Sequence, residues 1–345
     1  MSSDEKSAPW DSSEPLRAEP RGFSPDQMVR CEACLRANAP TRTSCLYCAA
    51  QLPATEAAES LQRPTLRRLE KWEHGFNVVL RPTEAALLPP EALRNAAELL
   101  HLRPEDLVRI IEAREPLPVA RAATPNEAAL VERKLGELGF QSLVIPDADF
   151  GAEGAPVRRA SALGLTEDAL VVCPVGGGEP SRVLWSEVSL LLVGRRIVRE
   201  VAVEERKGRR PEKEMVDARE LSADESVLDI YTMRDNDGWR VSANGFDFSC
   251  LGARKGLVAA QNLATLVGAL RERAGNAIYD DSYMRVRGAL AHAWPVEQQT
   301  EARGWRRSAP GRVTTEEVAR SDSESQFTRY SRLRHYLQRN HGPNS

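Results

Sequence analysis

At 345 residues the chain is longer than one ordinary hydrophobic core organises, so two or three folded units are expected. A composition of 41% hydrophobic and 28% charged residues matches ordinary globular domains and excludes wholesale disorder. With 47 Lys and Arg against 50 Asp and Glu, the net charge of -3 gives no general pull toward nucleic acid or acidic lipid.

The start, Met1-Ser2-Ser3-Asp4-Glu5, has no basic stretch leading into an apolar one and no glycine after Met1, so neither secretion nor myristoylation is expected. Residues 1–28 carry Pro9, Pro15, Pro20 and Pro25 among Ser, Asp, Glu and Arg, and too little apolar surface to offset their ordering entropy. They are predicted to be disordered.

Residues 29–53 contain Cys31-Glu32-Ala33-Cys34 and Cys45-Leu46-Tyr47-Cys48. A two-residue gap lets both thiolates of a knuckle face one ion, and the intervening chain can return to complete a tetrahedron. The expected cofactor is one structural zinc held by Cys31, Cys34, Cys45 and Cys48; incidental thiols or a redox pair are the alternative. Four sulfur ligands leave no position for a substrate water, so such a metal would be structural rather than catalytic. Clustered cysteines of this kind suit a reducing compartment, read here as the cytoplasm.

Residues 54–68 lack a hydrophobic period and read as a linker. From 69 to 148 the pattern becomes regular: Phe76–Leu80 is strand-like, and Leu93, Ala96, Leu99 and Leu100 recur at helical spacing. Pro104 opens a second helix, Leu117–Ala120 is a second strand, and Thr124-Pro125-Asn126-Glu127 sets an N-cap, proline and early acid in the favoured order. Gln141–Ile145 closes the set as a third strand. The expected order is strand, helix, helix, strand, helix, strand.

After a linker at 149–160, residues 161–275 turn to short strands: Ala169–Cys173, Arg182–Trp185, Leu190–Val193, Ile197–Val203 and Leu228–Thr232. Trp239–Phe248, with Asn244-Gly245 between alternating runs, predicts a type I′ hairpin. A helix from about Ala253 to Arg273 presents Leu257, Leu263, Leu266, Val267 and Leu270 on one stripe. Residues 276–345 are polar, with Trp294, Trp305, Phe327, Tyr330 and Tyr336 among arginines. Phe327, Tyr330, Leu333 and Leu337 fall at helical spacing, so this tail is expected to dock at least partly on the folded body. The fold class is therefore multidomain α+β: a zinc ribbon, a small α/β sandwich and an antiparallel β barrel-like domain with a C-terminal helix.

Three resemblances add to this. The cysteine spacing, with Asn38 four residues after Cys34, resembles the Ran-binding-protein type of zinc finger, whose members bind single-stranded RNA or ubiquitin; the tryptophan of that family is Val29 here. The run from Gly75-Phe76-Asn77-Val78-Val79-Leu80 to Leu135-Gly136-Glu137-Leu138-Gly139-Phe140 resembles the C-terminal domain of the ribosomal stalk protein and the Clp adaptor fold. Pro90–Ala96 has one arginine and no lysine where the stalk protein presents lysines to translation factors, so the resemblance implies the fold and not that surface. Leu165-Thr166-Glu167-Asp168-Ala169-Leu170 with Val183-Leu184-Trp185-Ser186-Glu187-Val188 is similar to the opening of bacterial pleckstrin-homology-like domains.

The basic run Arg206-Lys207-Gly208-Arg209-Arg210 with Lys213 is flanked by Glu204, Glu205, Glu212 and Glu214, which reads as a solvated hairpin tip more than an anion site. There is no G-x-S-x-G and no H-E-x-x-H, Gly176-Gly177-Gly178-Glu179 lacks a phosphate-loop lysine, and the histidines form no ligand spacing. The longest apolar run, Val188–Val193, is far short of the roughly 20 residues that cross a bilayer. These features lead to a non-enzymatic zinc-binding adaptor for protein partners. The alternative is an RNA-binding protein using the ribbon and the arginine and aromatic side chains of the tail, with membrane attachment not expected.

Overall fold

The computed structural model describes residues 22–53, 63–70, 73–82, 88–150, 157–207, 213–235, 237–309 and 312–341. Most of the predicted disordered segment and of the two linkers, the tip of the basic loop and the Trp305 side chain lie outside the described residues. The chain forms two compact units, Met1–Arg63 and Pro64–Ser345.

The first unit carries the four clustered cysteines. Strands β1 (Val29–Arg30) and β2 (Ala37–Asn38) pair antiparallel. Among the described residues its apolar core is Val29, Cys31, Cys45 and Leu52, with Cys34 and Ala50 packed against it. So small a core offsets little chain entropy by itself.

In the second unit, β3 (Phe76–Leu80), α1 (Pro90–Leu99), α2 (Pro104–Glu112), β4 (Leu117–Ala122), α3 (Pro125–Glu137) and β5 (Ser142–Pro146) follow in the order read from the sequence. Each helix has a proline at its start, where the missing N–H has no intrahelical partner to lose. The strands form an antiparallel sheet in the order β4-β3-β5. Thr124 caps α3 by accepting from the Glu127 N–H. The buried Glu127 carboxylate accepts in turn from the N–H groups of Ala123, Thr65 and Leu66, fastening the start of the unit across α3.

The larger sheet contains β6 (Arg158–Leu165), β7 (Ala169–Pro174), β8 (Ser181–Leu184), β9 (Val188–Lys207), β10 (Lys213–Thr232), β11 (Trp239–Ser242), β12 (Ile278–Asp280), β13 (Glu297–Ala309) and β14 (Arg312–Asp322). It runs in the order β13-β14-β9-β10-β11-β6-β7-β8 and curls into a half barrel, with no pairing that closes it among the described residues. Along one edge of β9, its first residues pair in parallel with β12 and its distal half pairs with β14. Three helices complete the unit: α4 (Ala259–Arg273), α5 (Tyr283–Leu290) and α6 (Glu324–His341). The fold is thus mixed α and β.

Leu190 and Leu192 on β9, with Val227 and Tyr231 on β10, belong to one core that includes Val78, Leu107 and Leu135 of the first layer and Tyr283, Phe327, Tyr330 and Leu333 of α5 and α6. Leu191, Leu228 and Ile230 face the opposite way, into a second core with Trp185, Trp239, Phe248 and the α4 residues Leu263, Leu266 and Leu270. A strand pair covered on both faces needs apolar residues at consecutive positions, which accounts for the unbroken Leu190-Leu191-Leu192 run. Gly194 lets Phe327 lie against β9: a Cβ at this position would come within 2.2 Å of the ring.

Several sequence expectations change here. The strands expected at Leu190–Val193 and Ile197–Val203 are one strand, β9, paired with β10 along its length. Gly245 does adopt positive φ, at 78°, but no second hairpin strand follows. Asp247 instead bridges Ala162, and Phe248–Arg254 winds into a 3-10 turn. Phe246 and Phe248 meet edge to face at 4.8 Å inside the second core, so their alternation records burial at a corner and not cross-strand pairing. The segment expected as a polar tail contributes β12 to β14, α5 and α6. Phe327, Tyr330 and Leu333 are completely buried.

Candidate metal centre

The two cysteine knuckles repeat one local geometry. Leu35 N–H donates to Cys31 O and Cys31 N–H to Arg36 O; Ala49 N–H donates to Cys45 O and Cys45 N–H to Ala50 O. Leu35 and Ala49 both sit in the left-handed region, at φ 59° and 58°. For a residue with a Cβ this conformation costs about 1–2 kcal/mol, and it is what turns the chain sharply enough for both sulfurs of a knuckle to face the same point.

The Sγ atoms of Cys31, Cys34, Cys45 and Cys48 lie within 4.8 Å of one another, with Cys31–Cys48 and Cys34–Cys45 each at 3.5 Å. A tetrahedral zinc with Zn–S of about 2.3 Å requires sulfurs about 3.8 Å apart, so the donor set fits a zinc-like ion in number, softness and spacing. The structure brings together all four predicted ligand residues. Cys31 and Cys45 are buried, Cys34 is half-buried and Cys48 is exposed.

Asn38 organises the second knuckle. It is 3% exposed; its Nδ2 donates to Arg36 O at 2.9 Å and to Cys45 Sγ at 3.5 Å, while its Oδ1 accepts from Leu46 N–H at 2.8 Å. Burial opposes ionisation of Cys45, but the backbone N–H groups of Tyr47 and Cys48, with Cys34 and Asn38, outweigh it and bring the thiol down to about 6. The Ala50 backbone favours a Cys48 thiolate, yet its hydrogen bonds with Cys34, Cys31 and Cys45 push that thiol up to about 12. Four thiolates in one place repel each other, and a divalent cation removes the conflict.

Leu35, Leu46 and Tyr47 stand out from the ribbon at 71%, 64% and 54% exposure, and the Arg36 guanidinium lies 4.7 Å over the Tyr47 ring. The outward apolar surface of the knuckle tips was not read from the sequence, where Leu35 and Leu46 resemble core residues.

Other candidate groups fall elsewhere. Asp280 and Asp281 turn to different partners: Asp280 accepts from Ser282 and faces Arg334, whereas Asp281 accepts from the Tyr279 hydroxyl at 3.3 Å. Cys173 and Cys250 are half-buried free thiols, the first on β7 and the second in a 3-10 turn. At the basic loop, Lys207 and Lys213 are paired across β9 and β10, and residues 208–212 lie outside the described residues. No described helix is long and apolar enough to cross a membrane. No known protein family, curated protein or solved structure matches the chain.

Proposed function

We propose that the chain is a non-enzymatic adaptor, working in the cytoplasm, whose zinc-loaded ribbon docks protein partners. The observation that carries this reading is a four-sulfur site on a separate compact unit whose knuckle tips expose Leu35, Leu46 and Tyr47. Apolar side chains held outward by a metal-fixed turn cost solvation without adding to the core, a pattern suited to an interface. Four thiolates complete the coordination of the ion, which suits a structural role.

The RNA reading is weaker on two grounds. Arg36 already covers one face of Tyr47, and the C-terminal arginines engage acids: Arg334 with Glu115 and Asp280, Arg332 with Asp237, and Arg320 with Asp322. Recovery of partners by affinity purification from lysate, with and without nuclease, separates the two. The adaptor reading expects a protein partner that survives nuclease and moderate salt and is lost from a Leu46→Asp, Tyr47→Ala variant. Nuclease-sensitive recovery with a steep salt dependence would replace it with RNA binding.

A further inference from the structure

Within the second unit, a cleft of about 730 Å³ opens between the segment Leu66–Glu70, the turn after α1, β4, the chain joining α5 to β13, and α6. Its volume is in the range of small-molecule sites. Its floor is rigid. Trp294, 2% exposed, donates from Nε1 to Asn77 Oδ1 at 2.9 Å, and the buried Gln326 donates to Trp294 O at 2.8 Å while accepting from Tyr283. Asn77 also donates to Asp147, which is paired with Arg121.

The charged groups of the lining are four arginines and two carboxylates. Arg67, Arg68, Arg121 and Arg329 face the cleft with Glu70 and Glu297 as its acids, and His101 and His292 stand on its rim. Glu73 offsets Arg67, and Asp147 offsets Arg121 from behind the wall. Arg121 spends Nε and one terminal nitrogen on Asp147 and Glu73 O, and its Nη1 has no acceptor among the described residues. Among the described residues the side chains of Arg68, His101 and His292, from three distant stretches of chain, make no hydrogen bond or ion pair, although His292 lies within electrostatic reach of the Asp106 carboxylate. His101 holds its place at φ 55°, a left-handed conformation uncommon for a residue with a Cβ.

We infer that this cleft binds a small phosphate monoester. Donors on separate walls of one cleft suit the three peripheral oxygens of a phosphate better than a planar carboxylate. Leu69, Pro295 and Val296 offer the organic part of the ester an apolar surface, and the cleft is too large for a bare phosphate alone. The site lies in a different unit from the cysteines and does not depend on the adaptor reading.

Titration calorimetry on the full-length chain tests this, with phenyl phosphate, AMP, inorganic phosphate and benzoate as probes. The expected result is that at least one ester binds tighter than inorganic phosphate and benzoate by about tenfold or more. Arg68→Gln and the pair His101→Asn, His292→Gln should weaken that ester by about tenfold without moving the melting midpoint. Arg68 is exposed, so its replacement leaves folding intact and keeps the test decisive. Cys45→Ser should leave the affinity unchanged. No ester binding, ester binding no tighter than phosphate or benzoate, or binding indifferent to Arg68→Gln would each overturn the proposal.

Discussion

The Arg240 guanidinium lies bidentate on the Asp229 carboxylate, at 2.7 and 2.8 Å, with both side chains 2% exposed. The two residues are direct partners across β10 and β11. Arg240 reaches further, donating to Thr328 Oγ1 at 3.0 Å and lying 4.7 Å over the Phe327 ring, so one buried cation fastens α6 to the sheet. Removing one member of a buried pair strands the other charge, at about 3–5 kcal/mol. Asp229→Ala should therefore lower the unfolding free energy of the second unit by that order in urea titration. Replacing both, as Asp229→Leu with Arg240→Met, should lose less than Asp229→Ala alone.

Deleting residues 324–345 should abolish the main cooperative unfolding transition. Removing a single buried Phe or Leu costs about 3–5 kcal/mol, and a whole domain is stable by about 5–15. Phe327, Tyr330, Leu333 and Leu337 leave the same core together in this truncation. Differential scanning calorimetry of the truncated chain checks it; a sharp transition at the original midpoint would show α6 to be dispensable.

The second unit should weaken in mild acid because of His335. The ring is 3% exposed, stacked 4.4 Å from Tyr231, with Nε2 at 3.0 Å from Thr232 O. Burial, only partly countered by that carbonyl, brings its pKa from 6.5 down to about 4. The folded state thus resists a proton that the unfolded chain accepts. Stability is whole above about pH 6.5 and falls as pH drops from there toward 4, by on the order of 3 kcal/mol from this group. Asp147 and Asp322, whose folded pKa values are lowered, act at more acid pH, as they must be protonated before their ion pairs fail. Urea titrations at pH 7, 6, 5 and 4.5 should show the loss, and His335→Gln should flatten it.

Freshly purified, reduced protein should carry one zinc per chain by elemental analysis. Asn38→Ala should keep the ligands but loosen the second knuckle, weakening zinc by about 10- to 100-fold in competition with a chromophoric chelator. Cys45→Ser should lose the metal while the main melting transition stays in place, as expected of separate compact units.

What the sequence revealed follows from where local chemistry decides structure. The knuckle spacing placed four sulfurs, and Pro104 and Pro125 marked two helix starts that fold as read. The pairing of β13 with β14 was invisible because Gln298, Gln299, Thr300 and Glu301 carry no apolar alternation; a backbone ladder holds them, and no face need be greasy. That Arg68, His101 and His292 line one cleft could not be seen because it depends on tertiary packing of three remote segments. Arg240 reads as a surface residue by type, and only its place opposite Asp229 makes it a core residue.

The β9 and β10 strands, with a core on each face, set how this unit opens. An amide beneath one packed layer can reach water by local displacement of that layer, whereas those of Leu190, Leu191 and Leu192 are sealed from both sides. Their hydrogen exchange must wait for the whole unit to come apart, so these slowest amides report its global unfolding free energy. Neighbouring side chains on the same strand, Leu191 and Leu192, then act as gauges of two different cores: a cavity made at one loosens the side of α4, and a cavity at the other loosens the side of α6.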